Sequence, residues 1–501
     1  MPIFYIKRDG WGLKSYRKFI ILLLMLFLLG LAGCGEKKVT NVGKLNFENP
    51  LNIPELLEPT IGRDGTKQFT LTMQSGTTEF LVGKMTNTWG INGSYLGPTV
   101  RVSKGDQVAF NVVNHLPEVS TLHWHGMLLP AVMDGGPHQM IEAGETWSPN
   151  WTINQPSATT WYHPHLHGNT ARHVYRGLAG MFIIDDEDSK KLPSDYGIND
   201  IPIIVQDKLF TKDGQLSEDD QTTFGTLGDE ILVNGTYDPF LKVTASQVRF
   251  RVLNGSNARA YHFGFTDERS FKLVANDAGL LPEPVTLDRF MLSPGERAEI
   301  VVEFKPGEET ILHSFSGGAG IENGEFDLLK VIADSKLTDS PVIEGKLSTV
   351  PPIEAPKDAM VRQFKLSMES DINGKKMDMY RIDEVVPAGT REIWEINNFG
   401  WSHNFHIHNA AFRVLEINGK KPSKYESGRK DTVFIPNGGR VKIAVEFGDF
   451  SDPNHPLMYH CHLLRHEDDG MMGQFLLVEP GTESQVPMEL PKDGTGTHNH
   501  P

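Results

Sequence analysis

Four pairs of histidines with one residue between them stand in this 501-residue sequence: His123/His125, His163/His165, His406/His408 and His460/His462. On a β-strand, residues i and i+2 project to the same face, so each pair presents two imidazoles together. Eight neutral imidazoles on adjacent faces suit copper, iron, nickel or zinc by ligand type. The alternative is eight core histidines satisfied without metal, which would strand many buried polar atoms. The last pair carries more. Cys461 sits between His460 and His462, His466 and Met471 follow it, and His403 precedes His406. Two imidazoles, one thiolate and one weak thioether make a blue-copper electron-transfer set, with Met472 as the alternative thioether to Met471. The chain neighbours of Cys461 point to the opposite face. An electron reaching a metal on its sulfur therefore has a short covalent route to a second cluster, of three coppers on the eight paired imidazoles. Dioxygen reduction to water takes four electrons, which four coppers can store.

The elements that must position these residues repeat along the chain. One copy has the β-rich segment 98–102, then 107–113 and Asn114. A second has 248–253 and Asn254, and a third has 391–396 and Asn397. Much of this alternates, as half-buried strands do. After the Asn come His123-Trp124-His125, Tyr261-His262-Phe263 and His406-Ile407-His408, so only the outer copies carry a histidine pair. A second block closes the same two copies: Trp161-Tyr162-His163-Pro164-His165 with Gly180 beyond it, and Met458-Tyr459-His460-Cys461-His462 with Gly473 beyond it. Gly 49 and Pro 31 favour short strands and turns over long helices. Three all-β domains are expected, as Greek-key sandwiches or small barrels, at residues 51–192, 193–350 and 351–485. A linker at 35–50 and a polar, mobile tail at 486–501, holding His498 and His500, would flank them.

The first 34 residues stand apart. Lys7, Arg8, Lys14, Arg17 and Lys18 precede an unbroken apolar run at 19–29. That run is too short for a membrane-spanning helix of about 20 residues, and the pattern reads as a secretory signal. Its Leu31-Ala32-Gly33-Cys34 ending resembles the lipobox of bacterial lipoproteins. The resemblance implies cleavage before Cys34, lipid on its thiol and a place on the outer side of the cytoplasmic membrane. Cys461 then has no disulfide partner in an oxidising compartment, and metal ligation would protect it. A net charge of −16 argues against a nucleic-acid partner, because phosphate binding needs a basic face.

Taken together, His123-Trp124-His125-Gly126, Trp161-Tyr162-His163-Pro164-His165, His403-x2-His406-Ile407-His408 and His460-Cys461-His462-x3-His466-x4-Met471 resemble the motifs of three-domain multicopper oxidases. The likeness covers residues 65 to 480 and is nearest to bacterial cuprous oxidases and spore-coat-type laccases. It implies cupredoxin-like domains, with the middle one a spacer. It also implies four copper ions: a type 1 copper on His403, Cys461, His466 and Met471, a type 2 copper on His123 and His406, and a type 3 pair on His125, His163, His165, His408, His460 and His462. Dioxygen and a small-molecule or metal-ion reductant are the implied partners, and copper tolerance is one implied role.

Two carboxylates resemble family acids that deliver protons. Asp134 in Met133-Asp134-Gly135-Gly136 is near the type 2 copper, and Glu467 lines the dioxygen side. Each has an alternative: Asp134 as a turn residue, Glu467 as a group that orients a ligand. His167 extends one pair into a triplet, but Leu464 stands at the matching place. His138, His173, His262, His313 and His455 lack a partner pair and default to structural roles. Electrons are expected to enter through an exposed edge of His403 or His466. The cuprous site of the family is not reproduced, since Trp401 and Phe399 replace its methionine and acid, and strand packing is expected of Met377 and Met379. The competing classes are a copper nitrite reductase and a non-catalytic scaffold like the cell-division relatives of this fold.

Overall fold

The computed structural model describes residues 39–492 apart from 220, 221, 319 and 369. The secretory signal, Cys34, His498 and His500 lie outside the described residues. Strands Gln107–Asn114 and Arg391–Asn398 alternate buried and outward residues. Their inward sets, Val108, Phe110 and Val112 in one and Trp394 and Ile396 in the other, join separate cores. The counterpart Gln247–Asn254 is buried on both faces. Its second face carries Arg249 and Arg251, which bury their charge only because they are paired. Arg251 reaches Asp200 at 2.7 Å and Glu299 at 3.0 Å, and Thr159 of the first repeat donates to Glu299 at 2.6 Å.

Each repeat is built from two sheets, and the pairing recurs. The three strands just named each lie parallel to an earlier strand: Lys67–Leu81, Asp200–Lys208 and Val361–Leu366. A second parallel pair marks the other sheet: Val100–Ser103 with Gly180–Asp185, Pro239–Ala245 with Phe326–Thr338, and Glu384–Pro387 with Met472–Val478. In the outer repeats the two sheets face each other across one core, Phe110 and Val112 against Trp124 and Tyr162 in the first, Trp394 against Phe405 and Tyr459 in the last. The architecture is all-β and cupredoxin-like.

The recurring Asn has a physical task. Asn114 donates to the Glu118 and Ile141 carbonyls and accepts from the Leu116 N–H. Asn254 makes the same three bonds with Arg259, Leu292 and Ser256, and Asn398 with Trp401, Pro436 and Gly400. One side chain thus satisfies the loop that leads to each site strand. The third clamp is Asn398, one residue beyond the Asn397 expected.

The second repeated block sets strand register. Tyr162 pairs across the ladder with Gly180 and Tyr459 with Gly473. A Cβ on either glycine would fall 2.2 or 2.3 Å from the tyrosine ring or hydroxyl. Only glycine lets the ring lie there, so the pairing cannot slip by a residue, and a slip would turn the histidines to the wrong face.

Two flanks differ from expectation. Over its described part the 35–50 linker is largely exposed but held by hydrogen bonds: Asn41 bonds Asp327, and Asn49–Pro50 pairs in parallel with Pro239–Ala245. The start of the expected tail is also held, since Glu489 bridges Arg381 and Leu490 is buried. No helix among the described residues is long and apolar enough to cross a membrane.

Candidate metal centres

In the first repeat, strand His123–His125 pairs antiparallel with Ala158–His163, placing His163 opposite His123. In the last, His403–Ile407 pairs with Asp452–His460, placing His460 opposite His406. Directly opposed residues share a face. The imidazoles therefore gather on one side while Trp124, Tyr162, Ile407 and Tyr459 enter the cores. Only His123/His125 lies wholly within a strand; the other pairs straddle strand ends. Even so, within every pair the ring centres lie 5.1 to 6.3 Å apart.

The eight rings come from both outer repeats and interleave. Ligand atoms converge in three sets: His123/His125/His406, His125/His163/His462 and His165/His408/His460. Hydrogen bonds settle which nitrogen is free. The Nδ1 of His123 faces the Asp134 carbonyl at 3.0 Å, that of His406 the Asp431 carbonyl at 2.9 Å, and that of His163 the Pro164 carbonyl at 2.8 Å. The Nδ1 of His408 meets Asp134 Oδ2 at 2.8 Å, and that of His460 meets the Cys461 carbonyl at 3.1 Å. These are acceptors, so Nδ1 carries the proton and Nε2 a lone pair. His125 is reversed: its Nε2 donates to Asp431 Oδ1 at 3.1 Å and its Nδ1 faces inward.

Lone pairs then point at lone pairs. His125 Nδ1 is 3.3 Å from His163 Nε2, and His460 Nε2 is 3.1 Å from His165 Nε2 and 3.2 Å from His408 Nε2. The Nε2 atoms of His123, His406 and His462 are buried without a protein partner among the described residues. Burial first, and the crowd of imidazoles next, hold His125, His163, His406 and His408 well below the ordinary histidine value. Burial takes His165 and His462 to about 3. Uncharged rings with inward lone pairs fit metal ions, and soft or borderline nitrogen sites of this kind suit copper.

The sulfur site lies on the other side of the same segment. Cys461 Sγ is 3.5 Å from His403 Nδ1 and 3.6 Å from His466 Nδ1, and those nitrogens are 3.0 Å apart. Burial pushes the thiol up to about 12, so a thiolate is stable here only against a cation. Register separates the two methionines. Met472 pairs with His460 and shares its face. Met471 joins the core that holds Cys461, and its carbonyl accepts the Cys461 N–H at 3.1 Å. His460 and His462, the chain neighbours of Cys461, belong to two different imidazole sets.

The two acids lie against ligand rings. Asp134 is buried at the joint, with Oδ2 on His408 and its carbonyl on His123, while Oδ1 has no partner among the described residues. The Glu467 oxygens lie 3.4 Å from His165 Nδ1 and 3.2 Å from His460 Nδ1. Sequence reasoning missed Asp431, which touches His125 and His406; its Lys430-Asp431-Thr432 setting carries no spacing signal. His403 and His466 are not exposed edges, at 1% and 5% exposure. His466 Nε2 donates to the Thr223 carbonyl at 3.0 Å, and Phe224 lies 6.1 Å from its ring and 6.3 Å from the half-exposed Trp401. Met377 and Met379 lie in a loop, not a strand, with the Met377 N–H on the Gly470 carbonyl. His138, His173, His262, His313 and His455 bond Gln474, Glu118, Glu322, Asp327 and Asp452, and none joins a metal set. His167 is half-buried and also outside those sets.

Comparison with known families agrees with this geometry. Sequence profiles described as multicopper oxidase match residues 72–189, 203–322 and 350–481. The chain belongs to the multicopper oxidase family. It is 38% identical over 447 residues to a multicopper oxidase of Staphylococcus aureus, covering 88% of this chain and 95% of that protein. It is also 34% identical over 466 residues to cell division protein FtsP of Salmonella typhimurium, covering 90% and 97%. Among solved structures, a laccase from Pediococcus acidilactici has 36% identity and a TM-score of 0.80, covering 86% of this chain and 94% of that one. A laccase-like multicopper oxidase from Ochrobactrum sp. has 38% identity and a TM-score of 0.78, covering 86% and 100%. This multicopper oxidase is thus an enzyme that uses copper, dioxygen and a reductant.

One glycine sets the Asp134 carbonyl against His123. Gly135 has φ +76°, and a Cβ there would lie 1.8 Å from the Leu122 carbonyl oxygen. Gly135→Ala is expected to lower stability by about 2–4 kcal/mol and to lower copper content with it, measured by denaturant unfolding and metal analysis.

Proposed function

We propose that this oxidase binds one type 1, one type 2 and two type 3 coppers and couples one-electron oxidation of a phenol or a metal ion such as Cu(I) to reduction of dioxygen to water. His403, Cys461, His466 and Met471 would hold the type 1 ion and His123 with His406 the type 2 ion. His125, His163 and His462 would hold one type 3 ion, and His165, His408 and His460 the other. Bound copper supplies the one-electron redox chemistry that the protein's own side chains lack. The observation that carries this reading is the position of Cys461, whose sulfur faces one ligand set while its chain neighbours enter two others. A few covalent bonds then join the electron's entry to its destination.

The protein's residues do the rest. The Thr223 carbonyl fixes the His466 ring and occupies its outer nitrogen. A reductant is met at the Phe224 and Trp401 surface, without entering the metal's own coordination. Asp134 and Glu467 lie beside the imidazole sets, where their carboxylates would relay protons inward. Their burial against His408, His165 and His460 supports this role. The same contacts orient the rings, so the two roles are compatible in one side chain. Export and a lipid anchor at Cys34 place the oxidase on the outer side of the cytoplasmic membrane, where defence against Cu(I) would be of use. The boundaries 51–192, 193–350 and 351–485 remain our division of the chain.

The copper-loaded protein is expected to be intensely blue. Cys461→Ser should lose that colour and nearly all oxygen consumption while keeping trinuclear copper; unchanged oxygen uptake would sink the reading. Side-by-side oxidation of Cu(I), Fe(II) and a phenol under air ranks the reductants. Glu467→Gln should slow dioxygen reduction by about 10²- to 10⁴-fold with copper content intact, and turnover at the wild-type rate rejects its proton role. In cells fed labelled fatty acid, the full chain should take up label and Cys34→Ala should not; label in both would remove the anchor.

A further inference from the structure

The imidazole cluster has two aspartates in matching positions. In the first repeat the Asp134 carbonyl takes the His123 Nδ1 proton and its carboxylate takes that of His408. In the last repeat the Asp431 carbonyl takes the His406 Nδ1 proton at 2.9 Å, and its Oδ1 takes the His125 Nε2 proton at 3.1 Å. Each aspartate thus holds one ring from each outer repeat. The rings it holds are stacked: His123 on His408 at 3.9 Å and 19°, His125 on His406 at 3.7 Å and 13°. A pseudo-twofold relation links the two halves.

The halves differ in what backs the carboxylate. Asp431 receives both terminal nitrogens of Arg297, at 2.7 and 2.6 Å, and Arg297 belongs to the middle repeat. Arg297 is itself fixed by the Thr159, Gly295 and Asp277 carbonyls. The Asp277 carboxylate, also from the middle repeat, takes the Arg297 N–H, lies 3.2 Å from Lys430, and accepts the backbone N–H groups of Asp431 and Thr432. Thr432 Oγ1 completes the frame, 3.2 Å from His125 Nε2 and 3.1 Å from His406 Nδ1. All of Arg297, Asp277 and Asp431 are fully buried. A bidentate guanidinium fixes a carboxylate in plane as well as in place.

We infer that Asp431, clamped by Arg297 of the middle repeat, is a positioning residue that sets the proton placement of His125 and the tilt of His406. His125 is the ring that must face inward through Nδ1, opposite to its neighbours, and Asp431 is the acceptor that makes it do so. A repeat without paired histidines therefore governs how the cluster takes up metal. This inference rests on the copper reading above.

The test uses the full chain, copper-loaded, with Asp431→Asn and Arg297→Lys. The Asn amide keeps size but offers an N–H where His125 needs an acceptor, favouring the wrong ring nitrogen. Affinity for the copper that His125, His163 and His462 would hold, measured against a competing chelator, should fall about 10- to 100-fold in Asp431→Asn, and by less in Arg297→Lys. The electron paramagnetic resonance signal of the non-blue coppers should change while the blue type 1 absorption persists. A purely structural role would lower the unfolding midpoint of the metal-free protein and leave that affinity and signal as in wild type. That result overturns the inference. If Asp431→Asn does not fold, Arg297→Lys decides by the same two readouts. A wild-type protein that binds no copper at His125, His163 and His462 overturns the copper reading and this inference together; a normal wild type with unaffected variants overturns the inference alone.

Discussion

Lone pairs aimed at one another inside a protein are the constraint on which this molecule is organised. Nitrogen atoms of His125 and His163, and of His408 and His460, approach to 3.2–3.3 Å with their protons turned away, and His165 Nε2 lies 3.1 Å from His460 Nε2. Without a cation between them such contacts repel in a medium that screens poorly. With one, they would attract, and the sets His125/His163/His462 and His165/His408/His460 would each tie the first repeat to the last. Everything that turns the protons outward serves this end: the backbone carbonyls of Asp134, Pro164, Asp431 and Cys461, and the carboxylates of Asp134 and Asp431.

The same segment joins two kinds of chemistry by alternation. Around Cys461, successive side chains fall on opposite sides, so a soft sulfur and two imidazoles serve different centres from adjacent positions. Strand pairing gives this alternation its precision. Tyr459 on Gly473 and Tyr162 on Gly180 lock the ladders from behind, and the Asn clamps hold the loops that lead in. The middle repeat contributes by charge. Its Arg297 and Asp277 grip the segment that carries Asp431, and its Arg251 and Glu299 grip the first repeat through Thr159.

The gathering of the paired histidines was legible in the sequence because a period of two survives in spacing alone, even where, as at His165 and His462, the strand has already ended. Spacing favoured Met471 over Met472, and the reason for their difference lies in the ladder, where Met472 opposes His460. The repeated Tyr and Gly were visible as a block, but their contact was hidden, because proximity across a sheet leaves no local mark. Asp431 was invisible for the same reason: its guanidinium partner is 134 residues away. The segment after residue 39 read as a linker because it is polar, yet backbone pairing with Pro239–Ala245 asks nothing of side-chain polarity. The three-repeat architecture was visible as a strand ending at an Asn in each copy, although in the third copy the clamp is Asn398 and not Asn397.

The bond from His466 to the Thr223 carbonyl bears on which molecules this oxidase selects. A ring held under a cover of protein is not itself touched by a donor. Electrons must cross a short insulating gap, whose width is the same for every visitor. Under the proposed function, discrimination would then fall on thermodynamic willingness to be oxidised and on time spent at the surface.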